Sequence, residues 1–330
     1  MREAVPSPAD PTGVRAAAGP NDSVPLLTEP ITSALRSAGL EPAAVRMLAA
    51  AALAEDLAGG IDVTTAATVP ADALGQADVV ARSAGVVAGL PVAEAVFLLA
   101  SPAGPVRCAE RAADGDVVAA GQTVLTVTGP VSALLTAERT ALNLLCHLSG
   151  VATLTRRWVA EVAGTQAQIR DTRKTTPGLR SLEKYAVRCG GGVNHRMSLS
   201  DAALIKDNHV AAAGSVSAAF TAVRAMAPRL PLEVECDTLD QVTEALAAGA
   251  DLILLDNFAV ADMAVAVQLA DGRAMLEASG GLTLDRAREV ALTGVDYLAV
   301  GALTHSAPAL DFGLDLRAQL SDRERHAADD

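Results

Sequence analysis

The apolar pattern of the chain changes character near residue 134. From Gln76 to Gly129, short Val-rich runs alternate with Gly and Pro, as in ADVVARSAGVVAGL and GDVVAAGQTVLTVTGP. Short runs punctuated by turn formers predict strands and hairpins. One helix is expected among them, around Ala93–Ala100, and an earlier one over the Ala/Leu-rich stretch Pro42–Leu57. Order is expected to begin near Val24. Residues 1–23 read as a disordered tail, without the apolar segment a targeting peptide needs. Residues 24–137 therefore read as a small α+β domain.

From Leu134 to Ala163 the pattern is that of a long helix, with Ser149-Gly150 as the point where it could break. One unit then recurs: a short apolar run, a polar or charged ending, a loop and an Ala-rich helical segment such as Leu239–Ala248 or Leu284–Leu292. The endings fall at Arg170, Lys206, Glu235, Asp256, Glu277 and Gly301. Repetition of strand, loop and helix predicts a (β/α) barrel, here over residues 138–305. Six units do not establish a complete eightfold barrel. A doubly wound open sheet is the competing fold. It fits less well, because functional-looking residues follow almost every strand instead of clustering at one switch point.

Composition narrows the function classes. Hydrophobic residues make up 51 % of the 330 residues, enough for a large α/β core beside a smaller domain. Aromatics are 2 % and the net charge is −13, which disfavour base stacking, a polyanionic partner or an anionic membrane. No apolar run approaches the ~18 residues of a membrane helix. Cys108, Cys146, Cys189 and Cys236 are widely spaced with no CxxC pair, so reduced thiols in a cytoplasmic protein are expected rather than a zinc site or disulfides.

The C-terminal ends of barrel strands converge on one face, where chemistry sits. That convergence would gather Arg170, Arg173, Lys174, Lys206, Glu235 and Asp256 into one cavity. A single charged residue after a strand is usually just solvated. Three patterns argue for more. Only Lys174, Lys184 and Lys206 are lysines among 26 cationic residues, and all three lie close together, which points to a need for compact ammonium groups. The segment from Arg170 to His209 carries a net charge of +4 in a chain whose remainder carries −17, which suits a small anionic ligand. Finally, the turns Ser279-Gly280-Gly281 and Val300-Gly301-Ala302 follow the last two strands, where barrel enzymes often cradle phosphate.

Other readings of single residues stay open at this level. Glu235 and Asp256 could hold Mg²⁺ or ribose hydroxyls, or form internal ion pairs with Lys174 or Lys206. Gly190-Gly191-Gly192 would let the loop before His195-Arg196 approach a ligand closely. His147 and His305 read as packing or surface residues. Cys189 reads as a buried thiol rather than a nucleophile, since no partner base is evident.

Taken together, EDLAGGIDVTT (Glu55–Thr65), ERTALNLLCHLSGVAT (Glu138–Thr153), DTRKTTPGLRSLEKYAVRCGGGVNHR (Asp171–Arg196), IKDNH (Ile205–His209), EVECDTLDQ (Glu233–Gln241), LLDN (Leu254–Asn257) and EASGG (Glu277–Gly281) resemble the quinolinate phosphoribosyltransferases. The resemblance runs from Glu55 to about Phe312. It implies an α/β fold with an open-sandwich N-terminal domain, completed by residues 306–330, beside an incomplete barrel. The implied reaction joins quinolinate to phosphoribosyl pyrophosphate, giving nicotinate mononucleotide, pyrophosphate and CO₂ in NAD biosynthesis, with Mg²⁺.

The resemblance also implies roles. Arg139, Arg173, His195, Arg196 and Lys206 would hold the quinolinate carboxylates, and Arg139 would reach the site of the partner in a homodimer. Thr172 would also contact substrate, and Lys174 would face the pyrophosphate. Glu235 and Asp256 would serve the ribose and the metal, directly or through water. Ser279, Gly280, Gly281, Val300, Gly301 and Ala302 would hold the 5′-phosphate. Chemistry would rest on Lys174, Lys206, Glu235 and Asp256. Rival functions are a related phosphoribosyltransferase with another acceptor ring, a barrel aldolase forming a Schiff base on Lys174 or Lys206, and a non-catalytic scaffold, which leaves the clustered lysines unexplained.

Overall fold

The computed structural model describes residues 24–317 apart from 102–103; the expected disordered tail, residues 1–23, lies outside the described residues, as do residues 318–330. Helices α1 (Glu29–Ser37), α2 (Pro42–Leu57) and α3 (Val63–Thr68) lead into strands β1 (Leu74–Ala81) and β2 (Gly85–Val86). Helix α4 (Leu90–Leu99), strands β3 (Arg107–Glu110), β4 (Val117–Val118) and β5 (Thr123–Pro130), and helix α5 (Val131–Glu161) follow. Pro42 opens α2 at a position where a missing N–H costs nothing, and Asp62 caps α3 by accepting from the Thr65 N–H at 3.0 Å.

The N-terminal sheet has the order β12-β1-β5-β3, in which β12 (Phe312–Arg317) returns from the far end of the chain to pair antiparallel with β1. Its inner side buries Phe97, Leu125, Leu134, Leu142 and Leu145. With few aromatics available, that core is filled mainly by Val, Leu and Ala, which pack closely at low rotamer cost.

The second unit is a parallel six-stranded sheet built from β6 (Gln168–Arg170), β7 (Ala203–Ile205), β8 (Leu232–Cys236), β9 (Leu252–Asp256), β10 (Met275–Ser279) and β11 (Tyr297–Ala299). Between them run α6 (Arg180–Cys189), α7 (Asp207–Ala213), α8 (Val216–Met226), α9 (Leu239–Ala248), α10 (Val260–Ala270) and α11 (Ala287–Ala291), and α12 (Ala302–His305) follows β11. Arg170 and Asp256 end their strands and Lys206 directly follows β7, whereas Glu235 is the penultimate residue of β8, Glu277 stands in the middle of β10 and Gly301 comes two residues after β11. The order is β6-β11-β10-β9-β8-β7, so the strands run consecutively from β7 to β11 and β6 closes beside β11. Among the described residues the strand order shows no reversal, which removes the doubly wound alternative. The sheet stays open between β6 and β7. There the backbone of Val193 forms a single parallel bridge with Arg170, a rudimentary strand that the sequence pattern does not announce.

Two expectations are corrected here. Helix α5 does not break at Ser149-Gly150 but runs unbroken for 31 residues. Gly150 serves close packing instead, because a Cβ there would collide with the backbone of Pro308 and Ala309. Gly190 and Gly192 likewise meet α5 rather than a ligand: a Cβ on either would press on Thr155, and one on Gly190 also on the Ala152 carbonyl at 2.5 Å. Small residues were needed for helix–loop contact, which hydropathy cannot distinguish from ligand approach.

Candidate active site

Strand parity decides which side chains enter the barrel. Residues two apart on one strand face the same side, and Leu204 and Lys206 on and after β7, Leu254 and Asp256 on β9, and Glu277 and Ser279 on β10 all line one cavity at the strand ends. Thr172, Arg173, Lys174, His195, Arg196, Glu235 and Ala299 complete its wall, and its volume is about 350 Å³. A second cavity of about 180 Å³ shares Thr172, Lys174, Ser279 and Ala299 with the first and continues over Gly280, Gly281, Val300, Gly301, Ala302 and His305. The site residues expected from one chain thus assemble in two connected spaces.

The wall is cationic and partly unpaired. The Nε groups of Arg173 and Arg196 are buried and have no hydrogen-bond partner. Lys206 Nζ donates to Glu235 Oε2 at 2.7 Å, so the internal ion pair raised as one reading of Glu235 is present. Asp256 accepts from the Asn257 side chain at 2.7 Å and lies level with Ser279 in the β9–β10 register. The Lys174 N–H donates to Thr172 Oγ1 at 3.0 Å, and Thr304 Oγ1 donates to the Lys174 carbonyl at 2.8 Å.

At Gly280 (φ +86°) a Cβ would overlap the Asn257 side chain. At Gly301 a Cβ would stand 3.0 Å from Lys174 Cδ and 3.3 Å from His305 Nε2. Gly301 thus keeps the second cavity clear between Lys174 and His305, while Gly280 makes room for Asn257. His305, expected to be a packing or surface residue, faces that cavity. Its position just after the VGAL turn was the available signal.

Arg139 is the exception to the assembly. It points away on α5, its side chain 65 % exposed and 3.8 Å from Glu138, and it does not line the cavity of its own chain. Arg170, expected in the cavity, instead turns inward: its Nη1 donates to Glu277 Oε2 at 2.5 Å and its guanidinium lies 4.7 Å from the centre of the Tyr297 ring.

Below the cavity lies a buried polar layer. His195 accepts the Arg196 N–H on Nδ1 at 2.7 Å, which leaves the proton on Nε2 to be donated to Glu233 Oε2 at 2.6 Å. Burial, above the effects of neighbouring charges, lowers the His195 pKa to about 4, so the ring is neutral at physiological pH. Burial also raises both Glu233 and Glu277 to about 7. One oxygen of each carboxyl is buried without a partner.

His195, Glu233 and Glu277 have the spacing of metal ligands, but the Arg170 guanidinium already supplies the positive charge at Glu277. Glu233 and Glu277 were not singled out as site residues beforehand. Each stands two residues before a polar residue that faces the cavity, Glu235 or Ser279, and strand parity alone could have found them. Cys189, read as a buried thiol, is only half-buried, and burial raises it to about 11, which does not favour a thiolate nucleophile.

Comparison with known proteins agrees with this geometry. Residues 62–149 match the family model "Quinolinate phosphoribosyl transferase, N-terminal domain", and residues 151–315 match its C-terminal domain. The chain is 58 % identical over 268 residues to the nicotinate-nucleotide pyrophosphorylase [carboxylating] of Mycobacterium leprae, covering 80 % of this chain and 94 % of that one. It is 39 % identical over 289 residues to quinolinate phosphoribosyltransferase [decarboxylating] 1b of Nicotiana tabacum, covering 82 % and 81 %. The crystal structure of NadC from Streptococcus pyogenes superposes with a TM-score of 0.81 at 42 % identity, covering 86 % of this chain and 99 % of that one. With both domain models matched and the site residues gathered at the strand ends, the chain belongs to the quinolinate phosphoribosyltransferase family.

Proposed function

We infer that this chain transfers the phosphoribosyl group of phosphoribosyl pyrophosphate to the ring nitrogen of quinolinate, with loss of the 2-carboxylate as CO₂. "Carboxylating" and "decarboxylating" in the relatives' names describe the two directions of that one reaction. The observation that carries the reading is the pair of adjoining cavities, one lined by the half-buried Arg173 and Arg196 and one lined by glycines, with Lys174 in the wall of both. Planar guanidinium groups suit carboxylates, which they bind through two parallel hydrogen bonds. The glycine-lined space suits a 5′-phosphate, with Lys174 between the two.

In this reading Arg173, Arg196 and Lys206 hold the dicarboxylate, and Leu204 and Leu254 provide apolar contact for its ring. Both His195 nitrogens are engaged within the protein, so its part is to complete the wall beside Arg196. Lys174 steadies the departing pyrophosphate as the C1′–O bond breaks and the ring nitrogen bonds to C1′, a transition state whose charge fixed cations stabilise. Breaking the bond from C2 to its carboxylate leaves an electron pair that the adjacent pyridinium nitrogen stabilises, and C2 takes up a proton. The ring acts as its own electron sink. Glu235 and Asp256, two hard-oxygen ligands beside an open cavity, suit Mg²⁺ completed by water and substrate oxygens. Such an ion would neutralise charge on the pyrophosphate.

Arg139, exposed and outside its own cavity, fits donation to a second copy in a homodimer. Four unpaired cysteines fit a cytoplasmic setting, and no helix among the described residues is long and apolar enough to cross a membrane. The test is to measure CO₂ and pyrophosphate release with both substrates and with each alone. One CO₂ per pyrophosphate, with neither formed when a substrate is omitted, is expected. Borohydride trapping of the chain by a carbonyl substrate would favour the aldolase reading instead.

A further inference from the structure

Lys184 belongs to the cluster of three lysines in the sequence, of which only Lys174 and Lys206 are expected in the cavity. The Lys184 side chain is 0 % exposed and paired with Asp171, also 0 % exposed. The pair does more than neutralise itself. Asp171 Oδ1 accepts from Lys184 Nζ and, at 2.8 Å, from the His195 N–H. Lys184 Nζ also donates to the His195 carbonyl at 2.8 Å. Both main-chain polar groups of His195 are therefore held by one buried ion pair. Asn194 closes the arrangement, donating to Asp171 Oδ2 at 2.5 Å and to the Lys184 carbonyl at 2.8 Å, and receiving Arg188 Nη1 at 2.8 Å.

Position gives this cluster its meaning. Asp171 immediately precedes Thr172-Arg173-Lys174, and His195 immediately precedes Arg196. These two loops meet at the open seam of the barrel, where the backbone pairing among the described residues is the single Arg170–Val193 bridge and no full ladder sets their spacing.

We propose that Lys184, Asp171 and Asn194 form a strut that positions His195 and Arg196 against Arg173, and so sets the spacing of the cations that grip the dicarboxylate. Burial works against both charges of the pair, raising the Asp171 carboxyl and lowering the Lys184 ammonium, and each partner counters the shift in the other. A buried ion pair is a poor way to gain stability, because apolar residues of the same volume do as well or better. Its use at an unladdered seam fits a positioning role. Lysine is required here: two acceptors converge on one compact ammonium in a space with no exposed surface, and a guanidinium is too large. The strut does not hold the other substrate's side of the site, since the Lys174 carbonyl is held separately by Thr304.

The proposal rests on the reading of Arg196 as a quinolinate ligand, so the test carries its own control. Lys184→Met, the double variant Lys184→Met with Asp171→Asn, and Asn194→Ala are compared with Arg196→Ala by calorimetry on folded protein, using quinolinate and pyrophosphate as probes. The double variant strands no charge, and Asn194→Ala removes only the outer hydrogen bonds, so the test does not depend on the single lysine change folding.

Weakening of quinolinate binding by about tenfold or more is expected in the Lys184 variants, and by about threefold in Asn194→Ala, with pyrophosphate affinity changed less than about twofold. A merely structural role would lower the melting temperature and leave both affinities of the folded protein unchanged. Wild-type quinolinate affinity in every strut variant that folds, while Arg196→Ala loses it, would overturn the strut. Wild-type affinity in Arg196→Ala would instead overturn the assignment of the site.

Discussion

Lys206 and Glu235 face each other across the mouth of the cavity, Nζ to Oε2 at 2.7 Å. A substrate carboxylate bound by Lys206 must compete with Glu235 for the same ammonium. Lys206 is partly exposed, so the pair contributes little, on the order of 1 kcal/mol or less. Glu235→Gln is therefore expected to tighten quinolinate binding by about two- to fivefold while lowering turnover, because under the proposed function the ribose and metal side would lose a carboxylate. Weaker quinolinate binding in that variant would show that Glu235 orients Lys206 rather than competing for it.

The two lysines of the cavity predict that shape counts there as well as charge. Lys174 Cδ lies close against Gly301, and Lys206 sets a compact ammonium on Glu235, so a larger planar guanidinium would place its charge differently at both positions. Lys174→Arg and Lys206→Arg should each lose most of the activity with melting temperatures near wild type. Near-normal turnover in both would undo the claim.

The unpartnered buried Nε groups of Arg173 and Arg196 predict selectivity for a ligand with two carboxylates. Nicotinate lacks one carboxylate and leaves a buried cation unpaired, a cost of roughly 1–3 kcal/mol. Calorimetry should find nicotinate binding weaker by about that amount, and equal affinities would contradict the placement of the ring.

The buried layer imposes a pH dependence on stability. Burial first, and Glu233 next, raise the Glu277 carboxyl to about 7 from an ordinary value of 4.5. A carboxyl that holds its proton more tightly when folded stabilises the fold at low pH, and that contribution is lost as pH rises from about 4.5 to about 7. His195, lowered to about 4, acts in the opposite sense, its contribution growing as pH rises toward 6.5. The stability of wild type relative to Glu277→Gln, from urea unfolding, should therefore fall by up to about 3 kcal/mol between pH 4.5 and 7. Parallel pH profiles would show that Glu277 titrates normally.

Arg139 lends itself to a complementation experiment. Arg139→Ala and Lys206→Ala chains, each inactive alone, are allowed to exchange subunits. If Arg139 serves the partner's cavity, a mixed dimer contains one intact site and one with both defects. Random mixing then restores about a quarter of wild-type activity. No recovery despite verified exchange would mean that each chain uses its own Arg139.

What could be read beforehand followed from short-range physics. Strand endings such as Lys206, Glu235 and Asp256 announce themselves because a charged residue closing an apolar run has one place to go in a barrel. Glu233 was hidden because a carboxylate inside an apolar run gives no sign of its partner, and Glu277, though legible as a strand ending, gave no sign of being buried; their partners, His195 and Arg170, lie 38 and 107 residues away. Lys184 misled for the same reason: its clustering with Lys174 and Lys206 was real, yet its contacts are with Asp171 and the His195 backbone. The glycines at 190–192 showed that space was scarce without showing what filled it.

Helix α5 spans about 46 Å at 31 residues. Its first half, through Leu145, belongs to the core under the N-terminal sheet, and from Leu148 its buried residues belong to the core of the barrel. The border between the two family models, at residue 150, therefore falls in the middle of a continuous rod. A chain cut there would expose half a helix's apolar face on each fragment, so neither piece should be excisable as a soluble module. The two halves should melt in one transition. The same rod carries Arg139, so whatever tilts the N-terminal sheet also re-aims that guanidinium, and the barrel behind it acts as the anchor.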